Sequence, residues 1–141
     1  MPRISKEQLI QFNKKYAYLI DDIQDFAISY EGKAKVAGVQ PYNVKWIYAA
    51  LVTHCRKQGW VQPFLMSDVK LSRTTGISNR HGTFEKARQI LKAWRKLDYL
   101  ETPMGVFYTF DKDCHIPNDE ASQKELIQRQ IQIQQISDIG D

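Results

Sequence analysis

The segment from Arg73 to Gln89 concentrates side chains that can donate hydrogen bonds to anionic or polar partners. Arg and Lys can bind phosphate oxygens or guanine edges, and Asn and Gln can pair with adenine. Each of these residues could equally be an ordinary exposed polar residue, so the surrounding pattern matters. The candidates for contact with double-stranded DNA are Arg73, Asn79, Arg80, His81, Thr83, Lys86 and Gln89.

Residues suited to enzymatic catalysis are scattered instead. His54, His81 and His115 have no carboxylate pair, nucleophile elbow or glycine-rich phosphate loop beside them. Cys55 and Cys114 each neighbour a histidine, but adjacent side chains point apart and rarely share one tetrahedral zinc. We therefore expect no enzymatic activity, no metal and no cofactor, and we interpret Cys55 as a small core residue.

The candidate contact residues lie in a pattern typical of two helices joined by a turn. Ser67 is placed to cap a short helix, and Gly76 can supply the positive φ that commonly ends one. A second helix is predicted from Thr83 to Leu97, with Ser78 or Thr83 as its cap. Its apolar stripe comprises Phe84, Ala87, Ile90, Leu91, Trp94 and Leu97. Its polar face, available to solvent or phosphate, comprises Glu85, Lys86, Arg88, Gln89, Lys92, Arg95 and Lys96.

Two β-prone runs, Asp98–Thr102 and Val106–Phe110, follow the second helix and predict a hairpin. Pro103 suits the first central position of a turn, and Gly105 suits a left-handed position, which together predict a three-residue loop. The hairpin contains no Lys or Arg. We therefore expect it to contribute little phosphate binding.

A longer helix and a short strand are predicted before this region. The helix runs from Tyr42 to Gln58 with Asn43 as its cap, and the strand lies within Trp60–Leu65, where Pro63 suggests an edge position. The resulting order is helix, strand, helix, helix, strand, strand. That order is typical of a winged helix-turn-helix, which lays its second helix of the turn in the DNA major groove. The apolar positions of the long helix are Val44, Ile47, Tyr48, Leu51, Val52 and Cys55.

Part of the chain, about residues 42 to 112, resembles the N-terminal winged-helix domain of DnaD-type primosomal proteins and of phage replication-organiser proteins. The resemblance is carried by the segments WIYAALVTHCRKQGW, SDVKLSRTTGIS, TFEKARQILKAWRKLDYLE and FYTF. It implies DNA binding, commonly with self-association, in replication initiation or its control on a phage, plasmid or other mobile element. The four residues Asn79 to Gly82 lengthen the turn beyond the usual family pattern. A winged-helix transcriptional regulator is the alternative, and a protein-docking module in a replication complex is another, favoured by the uncharged wing.

The N-terminal segment predicts an amphipathic helix of roughly six to seven turns. Ser5 and Gln8 stand at the spacing of a capping box. The apolar stripe is too large for a solitary helix in water, so it must cover something. The two alternatives are homodimerisation and packing on its own chain, against the C-terminal helix or the winged-helix body. The stripe comprises Leu9, Phe12, Tyr16, Leu19, Ile23 and Phe26.

The predicted fold is therefore mainly α with a small antiparallel β wing, a winged helix-turn-helix with N- and C-terminal helical extensions. Residues 1–30 form the N-terminal helix, 31–41 a linker, 42–112 the winged-helix domain and 113–141 a tail. Within the tail a helix is predicted from Ala121 to Ile136, because the structure-breaking Ile116–Asp119 segment is followed by a Gln-rich run with apolar residues.

The net charge of +4 is unevenly distributed. Between Val44 and Leu100 eleven Lys and Arg accompany three Asp and Glu, so this segment carries +8 and the remainder −4. Such an imbalance favours a polyanionic partner and steeply salt-dependent binding. With no membrane-length apolar run, no signal peptide and only two cysteines, the chain is expected to be cytoplasmic without a membrane partner.

Overall fold

A computed structural model describes residues 5–23 and 41–140 of the chain, except for the side chains of residues 41, 42 and 134–140. Two predictions fall outside this range. They are the position of Phe26 in the N-terminal stripe and the linker, of which only Pro41 is described.

The described chain is mainly helical and contains a three-stranded antiparallel sheet. The helices are α1 (Lys6–Tyr16), α2 (residues 18–23), α3 (Pro41–Lys57), α4 (Asp68–Thr75), α5 (Thr83–Ala93) and α6 (Glu120–Gly140). A short 3-10 turn, Arg80–Gly82, precedes α5. The strands are β1 (Phe64–Met66), β2 (Asp98–Thr102) and β3 (Gly105–Thr109). From α3 to β3 the order of elements is the predicted one. None of the described helices has the length and apolar character needed to cross a membrane.

Helix α3 lies at the centre of the core. All six of its predicted apolar positions are buried, from Val44 to Cys55. The predicted cap at Asn43 is wrong, since the helix already begins at Pro41. Proline suits the first helical position because the N–H that it lacks would have no partner within the helix there.

The sheet has the strand order β1-β3-β2, so β1 is an edge strand as predicted from Pro63. The predicted three-residue loop of the hairpin is wrong. Thr102 pairs with Gly105, which leaves only Pro103 and Met104 between the strands. The Thr102 hydroxyl donates to the Gly105 carbonyl at 2.8 Å and accepts from the Met104 N–H at 3.2 Å, closing the turn one residue early. Gly105 therefore begins β3 with a φ of 133°, outside the left-handed helical region.

Helix α5 is shorter than predicted, because it ends at Ala93 and not at Leu97. Arg95 adopts a φ of 60°, and the Lys96 N–H donates to the Leu91 carbonyl at 2.9 Å. This is the hydrogen bond of a Schellman-type helix end, which usually has glycine at the left-handed position. Leu97 is nevertheless buried, as the stripe predicted.

The N-terminal segment packs on the chain's own core. The capping box of Ser5 and Gln8 is confirmed, but a turn at Ala17 separates α1 from α2, so the helix is not continuous. Of the predicted stripe, Tyr16 and Leu19 are buried in the core and Phe12 and Ile23 pack against it. Packing in cis is thus the alternative observed for these four residues.

Side-chain hydrogen bonds hold this segment in place, and three of them are donated by aromatic side chains. Trp60 Nε1 donates to Asn13 at 3.0 Å, and the Tyr16 hydroxyl donates to Asp111 at 2.6 Å. The Tyr48 hydroxyl donates to Asp22 at 2.8 Å. The N-terminal segment is therefore joined to α3, to the chain after α3 and to the chain after β3.

Helix α6 includes the predicted Ala121–Ile136 range and extends beyond it at both ends. Its Gln130 amide accepts from the Leu65 N–H at 2.9 Å and donates to the Leu65 carbonyl at 3.0 Å. These are the backbone groups that a neighbouring strand would otherwise bind. Helix α6 therefore covers part of the open edge of β1.

Candidate nucleic-acid interface

All seven predicted contact residues lie on one stretch, from the last turn of α4 to the second turn of α5. Arg73 lies in the last turn of α4, Asn79 lies in the connecting turn, and Arg80 and His81 belong to the 3-10 turn. Thr83 is partly buried and the other six side chains are exposed. The remaining members, Lys86 and Gln89, lie on α5.

The turn after α4 is held against the body by local hydrogen bonds. Ser67 caps α4, and Gly76 ends it with a φ of 72°, both as predicted. The Ser72 hydroxyl donates to the Ile77 carbonyl at 2.8 Å, and the Thr75 hydroxyl accepts from the Ile77 N–H at 3.2 Å. Because Ile77 packs against the core, these bonds fix where the chain enters the 3-10 turn.

The cap of α5 is a residue that the sequence pattern did not identify. Asn79 accepts a hydrogen bond from the Phe84 N–H through its side-chain oxygen at 2.9 Å. The predicted caps bind elsewhere, since Ser78 accepts from the Arg80 N–H and Thr83 donates to the Arg80 carbonyl. The spacing of five residues between Asn79 and Phe84 differs from an ordinary N-cap, because His81 and Gly82 adopt left-handed conformations in between.

Some of the cations on the predicted polar face of α5 are paired with acids of the same chain, and others are not. Lys92 pairs with Asp98 at 3.2 Å, and Lys96, beyond the helix end, pairs with Asp22 at 2.9 Å. Arg73, Arg80 and Lys86, in contrast, make no ion pair with an acid within the described ranges. These three cations around the connecting turn therefore keep exposed charge without a described acidic partner, and so does Arg95, just past the end of α5.

Arg88 was predicted on the exposed face, and this prediction is wrong. Its side chain is only 4% exposed. It lies four residues after Phe84 and three before Leu91, so it shares a face of the helix with these two buried residues. Its charge is compensated within the protein and is not available to a polyanion.

The acids that surround Arg88 come from two other elements. Arg88 Nη1 donates to Asp68 of α4 at 2.8 Å and to the Tyr108 hydroxyl of β3 at 3.3 Å, and Nη2 donates to Glu101 of β2 at 3.3 Å. The guanidinium also lies 5.8 Å from the ring centre of Tyr99. Burial raises the pKa of Tyr108 to about 12 against the opposing effect of Arg88, so the phenol is protonated at neutral pH.

A groove lies beside the connecting turn, between α3 and the end of α4. It has a volume of about 450 Å³, and Trp46, at 47% exposure, forms one wall. The groove combines small and apolar side chains with threonines and one asparagine. The lining residues are Asn43, Trp46, Ala49, Ala50, Thr53, Thr74, Thr75 and Ile77.

The histidine and cysteine pairs form no metal centre within the described residues. Cys55 is buried as predicted, and burial raises the pKa of its thiol above the ordinary range. Burial lowers the pKa of His54 to about 4, so this imidazole is neutral at neutral pH. Its Nε2 atom lies 3.3 Å from the Gln130 amide nitrogen.

Comparison of the chain with protein-family models, with curated proteins and with solved structures gave no match. A functional assignment therefore depends on the chain's own residues and their arrangement.

Proposed function

We propose that this chain is a winged helix-turn-helix protein that binds double-stranded DNA without enzymatic activity. Helix α5 is the helix that enters the major groove, α4 crosses the phosphate backbone, and β2 and β3 form the wing. The order of elements and the strand order β1-β3-β2 support this assignment. The observation that carries it is the exposure of Arg73, Arg80 and Lys86, unpaired with any described acid, around a turn whose apolar side packs on the core.

The chemistry assigned to these residues follows from their positions. Arg73 and Arg80 flank the turn and bind phosphate oxygens, which positions the protein on the duplex. Lys86 and Gln89 lie on the exposed side of α5, a helix about 16 Å long and narrow enough to enter the major groove. Asn79 uses its amide oxygen to cap α5, so only its NH₂ group is assigned to base contact.

The wing makes a different contribution from the helix in this proposal. Asp98 and Glu101 of the hairpin pair with Lys92 and Arg88, and the hairpin itself contains no Lys or Arg. A wing with this charge does not attract phosphate. DNA affinity is therefore assigned to the two helices and the turn between them.

The biological process proposed for this binding is replication initiation or its control on a phage, plasmid or other mobile element. The resemblance of residues 42 to 112 to DnaD-type and phage replication-organiser domains supports it, with the cytoplasm as the site of action. A winged-helix transcriptional regulator is the alternative within the same class. Sequencing the DNA fragments that co-purify with the protein would separate them, because an origin and a promoter differ in genomic position.

Fluorescence anisotropy with a labelled duplex at two salt concentrations tests DNA binding. Arg80→Ala and Lys86→Ala should each weaken binding and reduce the slope of log K against log salt by about 0.9. Lys124→Ala is the matched control, because Lys124 is an exposed lysine on α6 that pairs with Glu120 at 3.0 Å. Wild-type affinity in both test variants would show that this surface does not bind DNA.

A protein-docking module in a replication complex is a second candidate function. The groove with Trp46 beside the turn and the absence of basic residues from the hairpin favour it. Sedimentation of the protein with and without duplex DNA separates the two candidates. A docking module would form oligomers in the absence of DNA, and its sedimentation would not change when the duplex is added.

A further inference from the structure

Arg88 connects α5 to three other elements of the proposed DNA-binding domain. It originates on α5 and reaches Asp68 on α4, Glu101 on β2 and Tyr108 on β3. Between α4 and α5, the ion pair of Arg88 and Asp68 is the one polar side-chain contact among the described residues. The arrangement of α4 relative to α5 thus depends on apolar packing, on the hydrogen-bonded turn that joins them and on this arginine.

The other polar link from α5 to the hairpin is weaker. Lys92 and Asp98 form an ion pair at 3.2 Å, but both side chains are 58% exposed. Exposed pairs of this kind contribute little, because water screens the charges and two mobile side chains must be ordered. Arg88 is itself buried and donates to two hairpin residues, the buried Tyr108 and the half-exposed Glu101, so it restricts the hairpin more strongly.

Stability alone does not explain an arginine at this position. Its Nε atom is buried and has no hydrogen-bond partner within the described part of the chain, which costs free energy. Buried ion pairs can often be replaced by apolar residues of similar volume without loss of stability. What an apolar residue cannot reproduce is a rigid planar group that donates in fixed directions to several partners.

We infer that Arg88 is a positioning residue for DNA binding, which holds α4 and the hairpin in a fixed arrangement on α5. Arg73 lies on the same short helix as Asp68, and Lys86 lies two residues before Arg88. The contact of Arg88 with Asp68 therefore sets the separation between the phosphate-binding end of α4 and the exposed face of α5. This inference rests on the proposed function, and it assigns the wing, which lacks Lys and Arg, a supporting role for α5.

The test compares Arg88→Met with Lys92→Met. The second variant is the matched control, because Lys92 lies on the same helix and also pairs with the hairpin, at Asp98. Each variant is titrated with a labelled mixed-sequence duplex at several salt concentrations, at a temperature where circular dichroism shows it to be folded. Arg88→Met should weaken binding by roughly three- to thirtyfold with an unchanged salt slope, since no phosphate contact is lost. Lys92→Met should stay within about twofold of the wild type. Arg88→Lys should not restore affinity, because one ammonium group cannot reach Asp68 and Glu101 together.

A second measurement on the same variants reports the arrangement without DNA. Amide hydrogen exchange should accelerate in both α4 and the hairpin of Arg88→Met, and in neither element of Lys92→Met. If Arg88→Met does not fold, Asp68→Asn replaces it, because that change removes the charge of one partner with nearly the same shape. Asp68→Asn should accelerate amide exchange in α4 and, like Arg88→Met, weaken DNA binding.

The outcomes separate this inference from the proposed function. Unchanged affinity in a folded Arg88→Met variant overturns the inference while leaving DNA binding intact. A salt slope reduced by about 0.9 also overturns it, since Arg88 would then be a phosphate contact. A wild-type protein that does not bind the duplex overturns the proposed function and with it the role of Arg88 in binding. The exchange data then still decide whether Arg88 orders α4 and the hairpin.

Discussion

The side-chain oxygen of Asn79 lies 2.9 Å from the backbone nitrogen of Phe84 and accepts its hydrogen bond. The first N–H groups of an α-helix have no partner within the helix, so this contact satisfies one of them at the start of α5. The residue at the N-cap position cannot supply this hydrogen bond itself. Gly82 occupies the N-cap position in a left-handed conformation and offers no side chain. Asn79 therefore stabilises the helix from the far side of the 3-10 turn.

Asn79→Ala should lower the free energy of unfolding by about 1 kcal/mol, the usual cost of losing a helix cap. Asn79→Asp should retain most of the stability, because a carboxylate also accepts the hydrogen bond and interacts favourably with the helix dipole. Urea denaturation followed by circular dichroism measures both. Equal stability of the alanine variant and the wild type would show that the cap is dispensable.

Leu19→Ala should lower the free energy of unfolding by about 2 to 5 kcal/mol, because Leu19 is buried in the core beneath α2. Tyr18→Ala is the neighbouring control. Tyr18 is 58% exposed, and its loss should change stability by less than about 0.5 kcal/mol.

The same pair of variants tests packing in cis against dimerisation. If the N-terminal segment covers its own chain, the loss in Leu19→Ala should not depend on protein concentration. Denaturation at two widely separated concentrations measures this. A loss that is small in dilute protein and grows as the concentration rises would indicate that the stripe packs between two copies, because only associated protein would lose the contact.

The hydrogen bond from Tyr16 to Asp111 should make stability depend on acidic pH. The Tyr16 hydroxyl lowers the pKa of Asp111 below its ordinary value of 3.8. A carboxyl group with a depressed pKa in the folded state stabilises the protein above its unfolded-state pKa, and this contribution is lost as the pH falls through the folded-state pKa.

Tyr16→Phe removes that hydrogen bond with little change of shape. The difference in unfolding free energy between the wild type and Tyr16→Phe should be full at neutral pH and should shrink below about pH 4. Denaturation across a series of acidic buffers measures it. A difference that stays constant down to strongly acidic pH would contradict the assigned role of Asp111.

Gln130→Ala should destabilise the protein by about 1 to 2 kcal/mol, because it removes the amide that pairs with both backbone groups of Leu65. Gln128→Ala is the matched control on α6, since Gln128 is exposed. Thermal unfolding of the two variants measures the difference. Equal melting temperatures would show that the edge of β1 does not need this cover.

Local patterns in the sequence were sufficient to predict much of the fold. The three-and-four spacing of apolar residues predicted α3 and the buried face of α5, and Ser5, Ser67 and Gly76 were recognised as helix ends. These features succeed because each depends on neighbours within one or two turns of the chain. The C-terminal helix was predicted by the same means, although its ends were not.

Features that depend on left-handed residues other than glycine were missed. Arg95 ends α5 in a conformation that usually belongs to glycine, and His81 adopts one within the 3-10 turn that precedes α5. Arginine gives no signal of such a backbone and histidine only a weak one, so the sequence predicted a helix four residues too long and the wrong cap for its start. The packing of Leu97 and of Phe84 in the core outweighs the local preference.

The composition alone accounts for the excess of positive charge between Val44 and Leu100, because residue types can be counted without coordinates. Which charges face outward depends on partners distant in the chain. Lys96 meets Asp22, seventy-four positions away, and Arg88 meets Asp68, twenty positions away. The periodicity of the sequence does not predict such pairings, since they form only when α2, α4 and the hairpin pack together. Folding therefore pairs Arg88, Lys92 and Lys96 with acids, while Arg73, Arg80, Lys86 and Arg95 stay exposed without a described acidic partner.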